Sequence, residues 1–297
     1  MRSPRILLLL ATLAAAVYAP ILALPFLANS FIEIPLSRVL GTWQSLTTLL
    51  QNANWHFRIS YVFLNSWLVA WQGMRPQSFY IASLCLHAAC VILIYLMGRW
   101  RILSYRTAGW AAAFFAIYSG HHGAVMSLAL WPDLLVTLFT CAAFVSWIRW
   151  MQSGQWLSYA ISLVLFLIAL VSHEAGFLAP LLFAFSLTLS DKATRKNLIS
   201  LVPFLALSTA VVVVQFAMRP QPVAWETSLP VLDPWWITIV WTAAVCGGLA
   251  LLRPRQWWRM AAALAGWVIA VLATGLYLAF ALHIGRDVSY LASLGLA

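Results

Sequence analysis

Long apolar runs, separated by short polar connections, recur along the whole of this 297-residue chain. A helix needs about 20 consecutive apolar residues to cross the hydrocarbon layer of a bilayer, which is ~30 Å thick. Only 8% of the residues are charged and the mean hydropathy is +0.90, whereas soluble domains carry roughly 25% charged residues. These values exclude a water-soluble fold. Because the runs do not alternate apolar with polar residues, they predict spanning helices and not a closed barrel.

The runs predict an all-α polytopic bundle with about nine or ten spans, which forms one membrane domain over residues 1–297. The first run follows Arg2 and Arg5, and no small-x-small cleavage site precedes Asn29, so we expect a retained first span and not a cleaved signal. The predicted spans lie near 6–28, 78–98, 107–119, 132–148, 157–172, 175–190, 197–218, 235–252 and 260–282, and a tenth begins near 288. Since that last run stops at Ala297, we expect a chain truncated at its C-terminus.

The long connection 29–77 is predicted to be an outer loop that carries amphipathic helices lying on the membrane surface. Its apolar stretches, 36–50 and 61–71, are too short or too mixed to span the bilayer.

The Lys and Arg residues predict a cytoplasmic N-terminus. In that orientation the inner connections hold twelve of the seventeen Lys and Arg residues, as the positive-inside rule expects of short loops. The formal net charge of +10 therefore reflects membrane topology, and nucleic acid is not expected as a partner. We expect a multi-pass protein of a bacterial-type inner or plasma membrane.

Acids and histidines gather on the opposite, outer face. Six of the seven acids and five of the six histidines fall in or beside outer connections. Ionisable groups at membrane depth cost about 2.5–3.5 kcal/mol at a helix centre, so those that occur there tend to face protein or a water-filled cavity. We therefore expect any chemistry at the outer face. The four cysteines all lie in apolar runs without metal-ligand spacing, and we interpret them as packing residues.

Several candidate residues have an alternative structural explanation. The pair His173 and Glu174, in LVSHEAGFLAP, could be a solvated hairpin tip, and His121 and His122, in YSGHHGA, could be a polar turn. Asp133 follows Trp131-Pro132, where proline and an acid are ordinary at the start of a helix. The outer arginines Arg58 and Arg286 go against the charge distribution, which makes them stronger candidates than any inner arginine.

Arginine, histidine and carboxylates above a helical bundle suit transfer from a lipid-linked phosphate donor. Arginine binds phosphate through paired hydrogen bonds and offsets charge on the leaving group, while a carboxylate accepts the proton of an attacking hydroxyl. Transporters also place ionisable residues in cavities, so composition alone leaves that alternative open.

The order of several motifs resembles the GT-C type membrane glycosyltransferases that use polyprenyl-phosphate sugars, related to protein O-mannosyltransferases and TMTC-like proteins. The motifs that carry the resemblance are, in order, Asn29-Ser30-Phe31, Phe57-Arg58-Ile59-Ser60, FYIASLCLH ending at His87, HHGAVMSLALWPDLL from His121, Ser172-His173-Glu174 and SYLASLGLA from Ser289. Asn29 and Ser30 stand where the family has an acidic pair, His173 replaces a lysine and Ala292 a proline.

The resemblance implies a set of site residues with degenerate motifs. The implied catalytic residues are Glu33 (a substitute for the missing acidic pair), Asp133 and Glu174, and the implied donor-binding residues are Arg58, His121, His122, His173, Arg286 and Tyr290. No cofactor is expected; a divalent metal stays open as an alternative, although the acids form no metal-ligand spacing that would support it. The expected partners are the bilayer, a polyprenyl-phosphate sugar and a glycan, lipid or protein acceptor on the outer face. A lipid-linked-substrate transporter or flippase and a non-catalytic glycosyltransferase-like subunit remain as alternatives.

Overall fold

The computed structural model describes residues 4–26, 30–51, 58–100, 103–118, 121–189 and 195–217, and every regular element within these ranges is a helix. The α-helices are α1 (Pro4–Tyr18), α2 (Ser30–Leu40), α3 (Leu46–Gln51), α4 (Ile59–Gln72), α5 (Pro76–Leu96), α6 (Tyr105–Ile117), α7 (His122–Met126), α8 (Trp131–Ser153), α9 (Trp156–Leu170), α10 (Ala179–Leu189), α11 (Arg195–Ile199) and α12 (Val202–Ala217). Short 3-10 helices lie at Ala19–Ala23, Trp43–Ser45, Met97–Arg99, Leu128–Leu130 and Glu174–Leu178. The predicted all-α fold is confirmed for this part of the chain.

Three helical stretches are long and apolar enough to cross a membrane. They are Pro4–Ala23, Pro76–Arg99 and Leu128–Ser153, with 20, 24 and 26 residues. At 1.5 Å per residue each is about 30 Å long or more, which matches the hydrocarbon thickness. These stretches occupy the positions of the predicted spans at 6–28, 78–98 and 132–148.

Other predicted spans correspond to shorter helices. The apolar helices Trp156–Leu170, Ala175–Leu187 and Asn197–Val211 lie at the spans predicted near 157–172, 175–190 and 197–218. The span predicted near 107–119 corresponds to α6, whose 13 residues extend only about 20 Å. The spans predicted near 235–252, 260–282 and from 288 lie outside the described residues.

The helices pack around two aromatic-rich clusters. α5 lies against α1, α6 and α8, and α8 makes its most extensive contact with α9. The first cluster includes Phe79 and Trp131, and the Trp131 indole N–H donates a 2.6 Å hydrogen bond to Ser83 between α8 and α5. The second includes Trp147, whose indole donates to Ser186 at 2.8 Å between α8 and α10. These two buried indoles thus each have an acceptor, as a polar group in hydrocarbon requires.

Large apolar side chains cover the outside of the bundle. Leu8 on α1 is 69% exposed, Trp110 on α6 is 72% exposed and Leu157 on α9 is 69% exposed. Large apolar side chains exposed in such numbers are unfavourable in water and are solvated in lipid. Together with the three long apolar helices, this surface identifies the chain as a membrane protein.

Within the segment 29–77 the described residues, 30–51 and 58–77, contain the helices α2, α3 and α4, as the predicted helical loop requires, and α4 packs onto the bundle. α2 packs along α4, and their contact is close at Gly41, where a Cβ atom would lie 2.3 Å from Ser66 Cβ. α4 ends at Gln72, and the next residue, Gly73, has a positive φ of +66°, which favours glycine. α4 contacts α5 and α8, and α2 contacts the 3-10 helix Leu128–Leu130 that directly precedes α8.

Candidate functional site

Glu33 and Tyr61 join α2 to α4. Glu33 lies in the first turn of α2, where the helix dipole favours a negative charge, and the Tyr61 hydroxyl donates a hydrogen bond to Glu33 Oε2. Tyr61 is fully buried, whereas Glu33 is half-buried. Burial, followed by the negative charge of Glu33, raises the pKa of Tyr61 well above its ordinary value. The phenol therefore stays protonated and remains a hydrogen-bond donor.

Arg58 lies at the N-terminal end of the same helix. It occupies the residue before α4, it is half-buried, and its positive charge acts on Tyr61 one turn further on. Asn65, one turn beyond Tyr61, is completely buried beside the same hydroxyl. The start of α4 thus places a guanidinium and a phenol next to the carboxylate of α2.

A second group is formed by Asp133 and His173. Asp133 lies in the first turn of α8, and its Oδ1 atom is 3.6 Å from His173 Nε2, with the two side chains only 2% and 1% exposed. His173 precedes the 3-10 helix Glu174–Leu178, and its Nδ1 atom accepts a 3.0 Å hydrogen bond from the Ala175 N–H. A ring nitrogen that accepts carries no proton, so the proton of the neutral ring is on Nε2 and faces Asp133.

Two serines connect these groups. The Ser60 hydroxyl, in the first turn of α4, donates a 2.7 Å hydrogen bond to Ser172, which in turn donates to the Ile168 carbonyl at 2.7 Å. The backbone N–H of Ser60 also points to the Val171 carbonyl, at 3.5 Å. We use the term polar cluster for Glu33, Arg58, Tyr61, Asp133 and His173, which these contacts bring to one end of α2, α4 and α8.

The histidines His121 and His122 are adjacent in the chain but differ in burial. His121 is buried, and its ring lies 5.5 Å from that of His87 and 4.3 Å from that of Phe115, measured between centroids. Burial, and then the charge of a protonated His87, lowers the pKa of His121 to about 3. Neutral His121 is therefore not a cation at physiological pH. His122 is exposed at the start of α7.

Several of the residues predicted from the sequence are thus brought together, and some important ones were not predicted. Tyr61 is hydrogen-bonded to Glu33 and lies one turn from Arg58, and Asp133 lies 3.6 Å from His173. Tyr61 and the pair Ser60 and Ser172 were missed, since their partners lie 28 and 112 residues away in the chain. The side chain of Glu174, together with Arg286 and Tyr290, lies outside the described part of the structure.

No metal centre is evident in the described residues. They contain no group of three or more His, Cys, Asp or Glu side chains placed to hold a metal ion. The polar cluster instead offers one guanidinium for an anion and two carboxylates that are able to accept a proton.

The fold and the polar cluster define an α-helical membrane protein with ionisable groups gathered at one end of its helices. Over 158 residues, or 52% of this chain, the sequence is 29% identical to the protein O-mannosyl-transferase Tmtc1 of Drosophila melanogaster. The match covers 17% of the length of that relative. It supports a relationship to TMTC-like glycosyltransferases. No protein-family model matches the chain, and no solved structure matches it.

Proposed function

We propose that this protein is a membrane glycosyltransferase that moves a sugar from a polyprenyl-phosphate carrier to an acceptor hydroxyl on the extracytoplasmic face. The similarity to a protein O-mannosyl-transferase over half of the chain is the observation that carries the proposal. The polar cluster supports it, because it combines an arginine with a half-buried carboxylate. The acceptor is a glycan, a lipid or a protein, and the N-terminus is cytoplasmic.

In the proposed reaction the acceptor oxygen forms a bond to the anomeric carbon of the sugar. The bond from that carbon to the phosphate oxygen breaks, and the polyprenyl phosphate leaves with the electron pair. Glu33 accepts the proton of the attacking hydroxyl, and Arg58 binds the phosphate and offsets the charge that develops on it. Asp133 and His173 shape the site, and the roles of Glu174, Arg286 and Tyr290 follow from the resemblance alone.

Arg58→Ala tests this assignment. Loss of one charged group that stabilises a leaving group costs on the order of 100-fold in turnover. We expect that loss, and a comparable one for Glu33→Gln, in a transfer assay with labelled polyprenyl-phosphate sugars and purified protein in lipid nanodiscs. The matched control is Arg38→Ala, which removes an exposed arginine from α2. Full activity of Arg58→Ala would remove Arg58 from the site.

A non-catalytic membrane subunit is the second candidate function. It is favoured by Asn29 and Ser30, which stand where the resemblance implies an acidic pair. Absence of transfer by folded wild-type protein from every polyprenyl-phosphate sugar tested would support this candidate and contradict the enzyme.

A further inference from the structure

The tyrosine that contacts Glu33 is bonded differently from other buried tyrosines of the described helices. The hydroxyls of Tyr18, Tyr80 and Tyr159 donate to backbone carbonyl oxygens, at 2.7, 2.8 and 2.9 Å. These bonds link helices to neighbouring chain segments. The Tyr61 hydroxyl donates to a carboxylate oxygen of Glu33, which is an ionisable side chain on another helix.

We propose that Tyr61 is a positioning residue, which holds the carboxylate of Glu33 in the orientation in which it accepts the proton of the acceptor hydroxyl. This inference rests on the proposed function, in which Glu33 is the base. Tyr61 itself does not touch the reacting atoms; it acts through Glu33.

The geometry explains how the hydrogen bond positions the base. A glutamate side chain has three rotatable bonds, so a half-buried glutamate without such a partner samples several orientations. A donor on Oε2 fixes the carboxylate plane and leaves Oε1 for the incoming proton. A general base must lie within about 3 Å of the acceptor hydroxyl oxygen whose proton it takes. A misoriented Glu33 carboxylate therefore lowers turnover more strongly than it weakens substrate binding.

Tyr61 is itself held rigidly enough to serve this purpose. Its ring is completely buried in the first turn of α4, between Arg58 and Asn65 of the same helix. α4 packs against α2, which carries Glu33, and against α8, which carries Asp133. The hydroxyl stays protonated beside Glu33, so the donor is present throughout the working pH range.

The test compares Tyr61→Phe with Tyr159→Phe in the transfer assay. Each variant removes one buried-tyrosine hydroxyl, but the Tyr159 hydroxyl donates to the Ser200 carbonyl on another part of the fold. We expect Tyr61→Phe to lower kcat by about 10-fold to 100-fold with less than about threefold change in KM, and Tyr159→Phe to keep kcat within about twofold. The double variant Glu33→Gln with Tyr61→Phe should be no slower than Glu33→Gln alone, since both changes act through one group.

A second readout is independent of turnover. Carbodiimides modify carboxyl groups that are free to reach the reagent, and a carboxylate held by a hydrogen bond is less free to reorient. Mass spectrometry should therefore show Glu33 modified several times faster in Tyr61→Phe than in wild type at pH 6. Incorporation of 3,5-difluorotyrosine at position 61 keeps the ring and strengthens the donor, and should slow the modification even if Tyr61→Phe fails to fold.

The outcomes separate the two proposals. Wild-type kcat and wild-type labelling in Tyr61→Phe, with Glu33→Gln inactive, would overturn the positioning role and leave the proposed function standing. An equal fall of kcat in Tyr61→Phe and Tyr159→Phe would show a merely structural effect and would also overturn it. Absence of transfer by wild-type protein would overturn the proposed function, and the positioning role with it.

Discussion

At the scale of single residues, His121 shows how burial controls charge inside the bundle. Its folded-state pKa of about 3 lies below its ordinary value of 6.5, because burial disfavours the imidazolium and His87 lies nearby. As pH falls below 6.5, the unfolded chain takes up a proton that the folded protein does not. The stability contributed by neutral His121 is therefore complete above about pH 6.5 and is lost as pH falls towards 3.

This difference predicts a pH-dependent loss of thermal stability. Between pH 7 and pH 5 the melting temperature of the wild type should fall by a few degrees more than that of His121→Gln, because the variant lacks the titrating ring. Melting of detergent-solubilised protein at the two pH values measures the effect. His122→Gln is the control, since His122 is exposed on the next residue, and it should behave like wild type. Parallel curves for all three proteins would contradict the prediction.

At the scale of elements, the 3-10 helix Glu174–Leu178 depends on the histidine before it. His173 Nδ1 caps the helix through the Ala175 N–H, while Nε2 faces Asp133, so one ring serves both the helix and the polar cluster. The helix also packs tightly on α9, since a Cβ atom at Gly176 would lie 3.0 Å from the Ala169 carbonyl oxygen.

Two substitutions separate these tasks of His173. Asparagine is a strong N-cap residue and replaces the acceptor Nδ1, but it has no atom in the place of Nε2. Alanine replaces neither nitrogen. His173→Ala should therefore be about 1 kcal/mol less stable than His173→Asn. Because both variants lose the contact with Asp133, both should lower transfer to a similar extent, by roughly 10-fold. Denaturation in detergent and the transfer assay measure the two effects. Equal stability of the variants would show that the cap contributes little.

Helix positions were largely predictable from the sequence, whereas contacts between helices were not. α5, α8 and α9 lie where the apolar runs placed them, because lipid requires hydrogen-bonded apolar helices. The sequence also pointed to Glu33, Arg58, Asp133 and His173 as ionisable residues on one face. It could not pair them, since the Glu33–Tyr61 and Ser60–Ser172 contacts depend on how α4 packs, and a tyrosine or serine in an apolar helix gives no pairing signal.

At the scale of the whole molecule, the distribution of Lys and Arg predicts which side of the membrane each connection faces. Thr48 on α3 and Thr107 on α6 are both exposed and fall on opposite sides in the proposed topology. A membrane-impermeant maleimide should label Thr48→Cys in intact cells at least roughly tenfold faster than Thr107→Cys. Wild-type protein gives the background of its native cysteines, and both variants should react after permeabilisation. The reverse pattern in intact cells would establish the inverted topology.

The hydrogen bond between Tyr18 and Tyr118 couples the ends of two helices that lie far apart in the chain. α6 is too short to cross the hydrocarbon, and the last carbonyls of a helix have no partner within it. The Tyr18 hydroxyl, at the end of α1, donates to the Tyr118 carbonyl just beyond α6. Since a buried carbonyl without a hydrogen-bond donor is costly, this contact with α1 stabilises the end of α6. A hydroxyl at the end of α1 therefore supports the end of a helix that lies 100 residues later in the chain.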